Sequence, residues 1–319
     1  MKDNRRMKGQ LILCALMLSL PAYAQLPPQA DTLFRYERAA PLDIKDSIID
    51  SNSTLVVHDI SYASPRGGRV TAYLVVPATR GRFPAILFGH WGLGNRTEFL
   101  PEAKLYAGSG CVSLIIDYPW VRPAPWRVNQ GRGMDEPEKD LSVFVQAVVD
   151  LRRGLDLLDA RPDVDPNKIA YVGHSYGAQW GAILSAIEKR LKAFVLMAGV
   201  PSDSAIFVES DDPTYVSWRA SVPKEALAHY LGVTSAVAAI RYVPYATPTP
   251  LFFQFARLER AFGVAAMERY FAAASEPKSV MWYDTGHELN DIKALLDRAA
   301  WLQKQIGFSP IPIFESRTR

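Results

Sequence analysis

The sequence predicts an α/β fold, with a mostly parallel central sheet and helices on both faces. Three observations predict it. Short continuous apolar runs, such as Ala85–Phe88, Val112–Ile116 and Ile169–Val172, read as strands buried on both faces. Between them lie longer segments with apolar residues three and four apart, the period of a helix packed on one side. The two kinds of segment alternate, which is the order of a parallel sheet built through helical crossovers.

The first 24 residues are expected to be an export signal. Lys2, Arg5, Arg6 and Lys8 give a positive start, Leu11 to Leu20 is an apolar run, and Ala22-Tyr23-Ala24 offers small residues for cleavage before Gln25. The run is about half of the roughly 20 residues that span a bilayer, so no permanent membrane anchor is expected. The expected location is periplasmic or secreted. Four of the 36 Lys+Arg and one of the 33 Asp+Glu lie in the signal, which leaves 32 of each in the mature chain. That balance, with no aromatic-interleaved basic stripe, argues against a nucleic-acid partner.

Residues 25–53 read as an irregular lead-in, and 54–319 as the α/β domain. Thr54–Tyr62 and Arg69–Val76 flank Ser64-Pro65-Arg66-Gly67-Gly68, a hairpin signal that adds antiparallel strands at one edge. Glu98–Ala107 reads as a helix and Val112–Ile116 as a strand. In 135–158, Leu141, Phe144, Val145, Val148 and Val149 form one helical face, with Pro137 suited to the first turn. Arg161–Pro166 turns the chain into the strand Ile169–Val172, followed by a helix over Ala178–Glu188. Strands follow at Ala193–Met197, Leu251–Phe255 and Val280–Trp282. The last helix, Asp291–Gln305, has Ile292, Leu295, Leu296 and Ala299 at helical spacing. Residues 201–248 break the rhythm and read as an irregular cap insertion.

Gly173-His174-Ser175-Tyr176-Gly177 lies between a predicted strand and a predicted helix. In that context G-x-S-x-G marks a nucleophilic serine on a strained turn, and the glycines supply the space the turn needs. A serine hydroxyl needs a base. Of five histidines, His58, His90 and His174 precede the serine. His229 lies in the insertion, and only His287 follows a sheet strand. Serine, acid, histidine is the chain order expected on such a sheet. It makes His287 the base and Glu259, just past a strand, the acid, with Asp284 and Asp203 as rivals. Tyr176 N–H and a second amide from Gly89-His90-Trp91-Gly92-Leu93-Gly94-Asn95, Trp91 first and Gly92 next, are the expected oxyanion donors. Arg122 and Trp126, on the loop 118–134, are candidate substrate contacts. Aromatic residues of the insertion are further candidates. Cys111 reads as a buried small hydrophobe. No Cys/His cluster has zinc spacing, and no metal or cofactor is expected.

From about Arg69 to Leu302 the chain resembles the dienelactone hydrolase-like and prolyl-oligopeptidase-like group of α/β-hydrolases. The resemblance rests on Ala72-Tyr73-Leu74-Val75-Val76-Pro77, Gly89-His90-Trp91-Gly92, Val164-Asp165-Pro166-Asn167-Lys168-Ile169, Gly173-His174-Ser175-Tyr176-Gly177 and Gly286-His287. It implies an α/β-hydrolase fold with nucleophile, acid and base at the positions above. Three features depart from the pattern. Trp91 stands where His-Gly is usual, the acid is Glu rather than Asp, and the nucleophile is serine where dienelactone hydrolases proper use cysteine. No propeller precedes the catalytic region in the sequence as given, so a prolyl-oligopeptidase-type peptidase is not expected. The expected function is cleavage of a carboxylic ester in a small acyl substrate by a serine hydrolase. Amidase, peptidase or acyltransferase activity on the same residues, or a non-catalytic binding role, are the alternatives.

Overall fold

The computed structural model describes residues 26–312 apart from 28, 132 and 133. The export signal read from the first 24 residues lies outside the described residues. Among those described, no helix is long and apolar enough to cross a membrane.

In chain order, α1 (Ala30–Leu33) leads to β1 (Lys45–Ser51), β2 (Leu55–Ala63), β3 (Arg69–Pro77), β4 (Phe83–Gly89), α2 (Leu100–Gly108) and β5 (Val112–Ile116). Next come α3 (Pro137–Asp159), β6 (Val164–His174), α4 (Tyr176–Ile187) and β7 (Phe194–Met197). The cap contributes α5 (Asp203–Phe207), α6 (Pro213–Ser221) and α7 (Lys224–Thr234). The chain then returns through β8 (Leu251–Ala256), α8 (Val264–Ala273), β9 (Lys278–Tyr283) and α9 (Ile292–Ile306). The described strands form one sheet in the order β1-β2-β3-β5-β4-β6-β7-β8-β9. β1, β2 and β3 join antiparallel, and every pairing from β5 through β4 to β9 is parallel. This is the predicted architecture, with the predicted hairpin at one edge.

Alternation of side chains explains the continuous apolar runs. On β4, Ala85 and Leu87 enter one core, while Ile86 and Phe88 enter the other. The first core packs α3 and α4 against the sheet, and the second packs α2 and α9. Fully burying each large aliphatic side chain contributes about 1.5–3 kcal/mol, so neither face of these strands tolerates a polar residue cheaply.

Three expectations are corrected. The lead-in is not wholly irregular, because Lys45–Ser51 forms β1. All seven of its residues are exposed, so no alternating pattern marks it, and backbone pairing with β2 is what makes it a strand. The insertion is helical rather than irregular, and α6 buries no residue, which removes the stripe a helix normally shows. On α9 the buried face is Ala294, Arg298, Ala299, Leu302 and Ile306, and Ile292 is exposed. Arg298 lies on that face because Glu102 of α2 and Gln254 of β8 bind its guanidinium at 2.6–2.9 Å. Gly307, at φ 74°, stops the helix.

Candidate active site

Ser175 stands between β6 and α4 with φ 56° and ψ −113°. A non-glycine residue there costs on the order of 1–3 kcal/mol. The neighbouring glycines make the turn possible. A Cβ on Gly173 would strike the backbone of Gly177, and one on Gly177 would strike the Gly89 carbonyl. Ser175 N–H donates to Met197 O of β7 at 2.8 Å, which fixes the elbow to the sheet.

The loops after β8 and β9 bring the other two side chains to it. Leu258 N–H donates to Thr285 O at 3.1 Å and Arg257 N–H to Tyr283 O at 2.9 Å, so the two loops run side by side. His287 Nε2 lies 2.8 Å from Ser175 Oγ, and its Nδ1 bonds Glu259 Oε2. A carboxylate only accepts, so Nδ1 carries the proton and Nε2 is free to take the serine's. The other carboxylate oxygen accepts from Arg260 N–H and Ala261 N–H at 2.9 Å each, and the Glu259 side chain is 2% exposed. Asp284, the first rival acid, points to solvent and pairs with Arg257 at 3.1 Å. Asp203, the second, is buried in the first turn of α5.

The two amides expected to bind an oxyanion differ in their surroundings. Tyr176 opens α4, where an amide has no partner within the helix. Trp91 N–H instead donates to Glu98 Oε2 at 2.8 Å, so it is not available to a substrate oxygen. Gly92 is the next amide in that loop and lines the cleft. Its missing side chain lets it sit against the Tyr176 ring, 2.6 Å from where a Cβ would be. His90 holds the loop from below. Burial pushes its pKa down to about 3. The neutral ring donates from Nδ1 to Trp91 O at 2.6 Å and accepts Tyr118 N–H at Nε2 at 3.1 Å.

No protein-family model matches the chain. An uncharacterized protein of Mycobacterium tuberculosis (strain ATCC 25618 / H37Rv) is 24% identical over 273 residues, 84% of this chain and 85% of that protein. Among solved structures, an acetyl xylan esterase from Paenibacillus sp. R4 superposes with a TM-score of 0.72 at 18% identity, over 87% of this chain and 92% of that one. An acetyl xylan esterase from Thermoanaerobacterium sp. JW/SL YS485 gives 0.70 at 16%, over 87% and 94%. An alpha/beta hydrolase from Penicillium sp. sh18 gives 0.60 at 17%, over 79% and 99%. The chain has the α/β-hydrolase fold.

The cleft of this α/β-hydrolase fold encloses about 760 Å³ above Ser175, between the sheet loops and the cap. Trp91, Trp120, Tyr176, Phe207, Tyr215 and Phe262 supply aromatic surface, and Leu93, 84% exposed, stands at its mouth. Two cap aromatics therefore reach the site, while Tyr242 packs in the core.

Neither proposed substrate contact faces this cleft. Trp126 lies against the β2–β3 turn, 3.6 Å from where a Gly68 Cβ would be. Trp120 occupies the cleft side of that loop and donates from Nε1 to Gly92 O at 2.8 Å. Arg122 is fully buried, 2.5 Å from Asp150 of α3, and its Nε donates to Asp117 O. Asp150, an acid in the apolar stretch of α3, is the sequence signal for that pair. Removing one partner of a buried pair costs about 3–5 kcal/mol. Arg122→Leu is therefore expected to lower stability by that amount in denaturant titration, with KM of the folded fraction unchanged.

Asp203 gives the cap a pH dependence. Burial raises its pKa to about 6, Thr234 beside it offsets part of the shift, and the neighbouring Asp140 carboxylate adds to it. The folded pKa lies above the ordinary value of 3.8. The stabilisation is therefore complete below pH ~4 and is lost as pH rises through about 6. Asp203→Asn is expected to gain about 2–3 kcal/mol over wild type between pH 4 and pH 8. Paired denaturant titrations at the two pH values measure it, and an unchanged difference would sink the assignment.

Glu98 was missed by sequence reasoning as anything but a helix start. Nothing local marks it, because its partners Trp91 and His174 are assembled only by the fold.

Proposed function

We propose that this protein is a serine hydrolase that cleaves carboxylic esters of small uncharged molecules, after export to the periplasm or medium. The observation that carries the reading is the continuous chain Ser175–His287–Glu259, with the nucleophile on a strained elbow under an aromatic cleft. The esterases among the structural neighbours support the ester class.

Ser175 Oγ attacks the acyl carbon while His287 Nε2 takes its proton. Glu259 keeps the imidazole in the productive tautomer and stabilises its charged form. Tyr176 N–H and Gly92 N–H receive the oxygen that becomes negative in the tetrahedral intermediate. His287 returns the proton to the leaving alcohol. Water, deprotonated by the same imidazole, then attacks the acyl-enzyme and releases the acid and free Ser175.

Charge narrows the substrate. Asp212, Glu288 and Glu259 border the cleft, and its one cation among the described lining residues, Arg260, is tied to Asp212 at 3.3 Å. A carboxylate on the substrate meets repulsion of about 1 kcal/mol or more there.

The experiment is hydrolysis of p-nitrophenyl esters of graded chain length, with a hemisuccinate ester and a p-nitroanilide for comparison. Neutral esters are expected to turn over, the hemisuccinate about tenfold less efficiently, and the anilide far more slowly. Folded protein that hydrolyses no ester contradicts the proposal, and faster anilide turnover would make the protein an amidase. N-terminal sequencing of exported protein tests the location, with Gln25 expected first.

A further inference from the structure

A second histidine and a second carboxylate stand behind the catalytic residues. His174, the last residue of β6, turns away from the cleft and is almost fully buried. Its Nε2 lies 2.8 Å from the backbone carbonyl of His287, and its Nδ1 lies 2.6 Å from Glu98 Oε1. The other Glu98 oxygen accepts the Trp91 amide at 2.8 Å. The Trp91 and His174 rings stack at 6.2 Å with an 18° interplanar angle.

Donor and acceptor counting restricts the protons. A carbonyl oxygen only accepts, so His174 Nε2 carries a hydrogen. One further proton lies between Nδ1 and the carboxylate. Wherever it resides, the pair has no net charge. The pair therefore places no net charge behind Ser175, and the role inferred for it is positional.

The position matters because of what the pair connects. Glu98 and Trp91 belong to the loop after β4, which presents Gly92 to the cleft. His287 belongs to the loop after β9. We propose that Glu98 is a positioning residue that acts through His174, joining the amide loop to the base loop behind the nucleophile. It holds the His287 main chain so that its ring meets both Ser175 and Glu259. It also holds the Trp91 amide inward, which leaves the next amide, Gly92 N–H, turned to the substrate. This inference rests on the serine-hydrolase reading.

Glutamine and leucine separate position from charge. Glu98→Gln still accepts the Trp91 amide with its carbonyl and donates from its amide to His174 Nδ1, and the bond to His287 O survives. Glu98→Leu fills the same space and breaks both links. Misplacing a reacting group by about an ångström costs up to about 10²-fold in rate. Glu98→Leu is therefore expected to lower kcat on p-nitrophenyl acetate about 10- to 100-fold with KM changed less than about threefold, and Glu98→Gln to recover most of the loss. If Glu98→Leu does not yield folded protein, His174→Phe breaks the same link from the other end and is expected to show the same kcat loss.

Wild-type labelling of Ser175 by a fluorophosphonate is measured first. An unlabelled wild type overturns the hydrolase reading itself. A labelled wild type with full kcat in Glu98→Leu or His174→Phe overturns only the positioning role. So does an equal kcat loss in Glu98→Gln and Glu98→Leu.

Discussion

Ser175→Ala is expected to lower kcat on p-nitrophenyl acetate by about 10⁴ to 10⁶ while leaving the fold intact. In the proposed reaction the hydroxyl oxygen bonds the acyl carbon, so its loss removes the covalent route altogether. Alanine fits the elbow, because the strained φ of 56° is imposed by packing of Gly173 and Gly177 and by the bond to Met197 O. None of these needs the hydroxyl, and circular dichroism and Tm should stay close to wild type. The substituted protein should still bind neutral esters, since the aromatic lining is untouched. Residual turnover within tenfold of wild type would mean that the reaction does not pass through Ser175.

Glu259→Gln is expected to lower kcat by about 10³ to 10⁴ with little change in KM. The reason is the tautomer. One carboxylate oxygen of Glu259 accepts two backbone amides, from Arg260 and Ala261. In the glutamine the carbonyl keeps that place, and the NH₂ group is turned to His287 Nδ1. A donor facing Nδ1 forces the proton onto Nε2, where it can no longer receive one from Ser175. Steady-state kinetics on the same ester reads the effect. Should Glu259→Gln stay active while Asp284→Asn fails, the acid has been misassigned, although Asp284 lies at the surface beside Arg257.

The elbow at Ser175 was legible because its requirements are local. A strand, a glycine, a serine, a glycine and a helix sit within a few residues of one another, and the elbow follows from that order. The nearness of His287 and Glu259 to Ser175 was legible because a parallel sheet places successive strand ends along one edge, so chain order becomes spatial order. What failed depends on long-range packing. Arg122 reads as a loop arginine until Asp150, 28 residues on, closes over it. Trp91 reads as the free amide until Glu98 accepts from it. Gly92, second in the sequence reading, is the next amide and lines the cleft. The buried face of α9 was read rotated about the helix axis, with only Ala299 shared, because Arg298, a charge, occupies the true one. β1 carries no pattern, since a strand exposed along its whole length has no face to alternate.

The most direct test of the account is intact-mass measurement after treatment with a fluorophosphonate, on wild type and on His287→Ala. The account predicts one adduct on the wild type, mapped to Ser175 by peptide sequencing, and labelling slowed by several orders of magnitude in His287→Ala. Folded wild-type protein that gains no mass, or His287→Ala labelled at the wild-type rate, would contradict it.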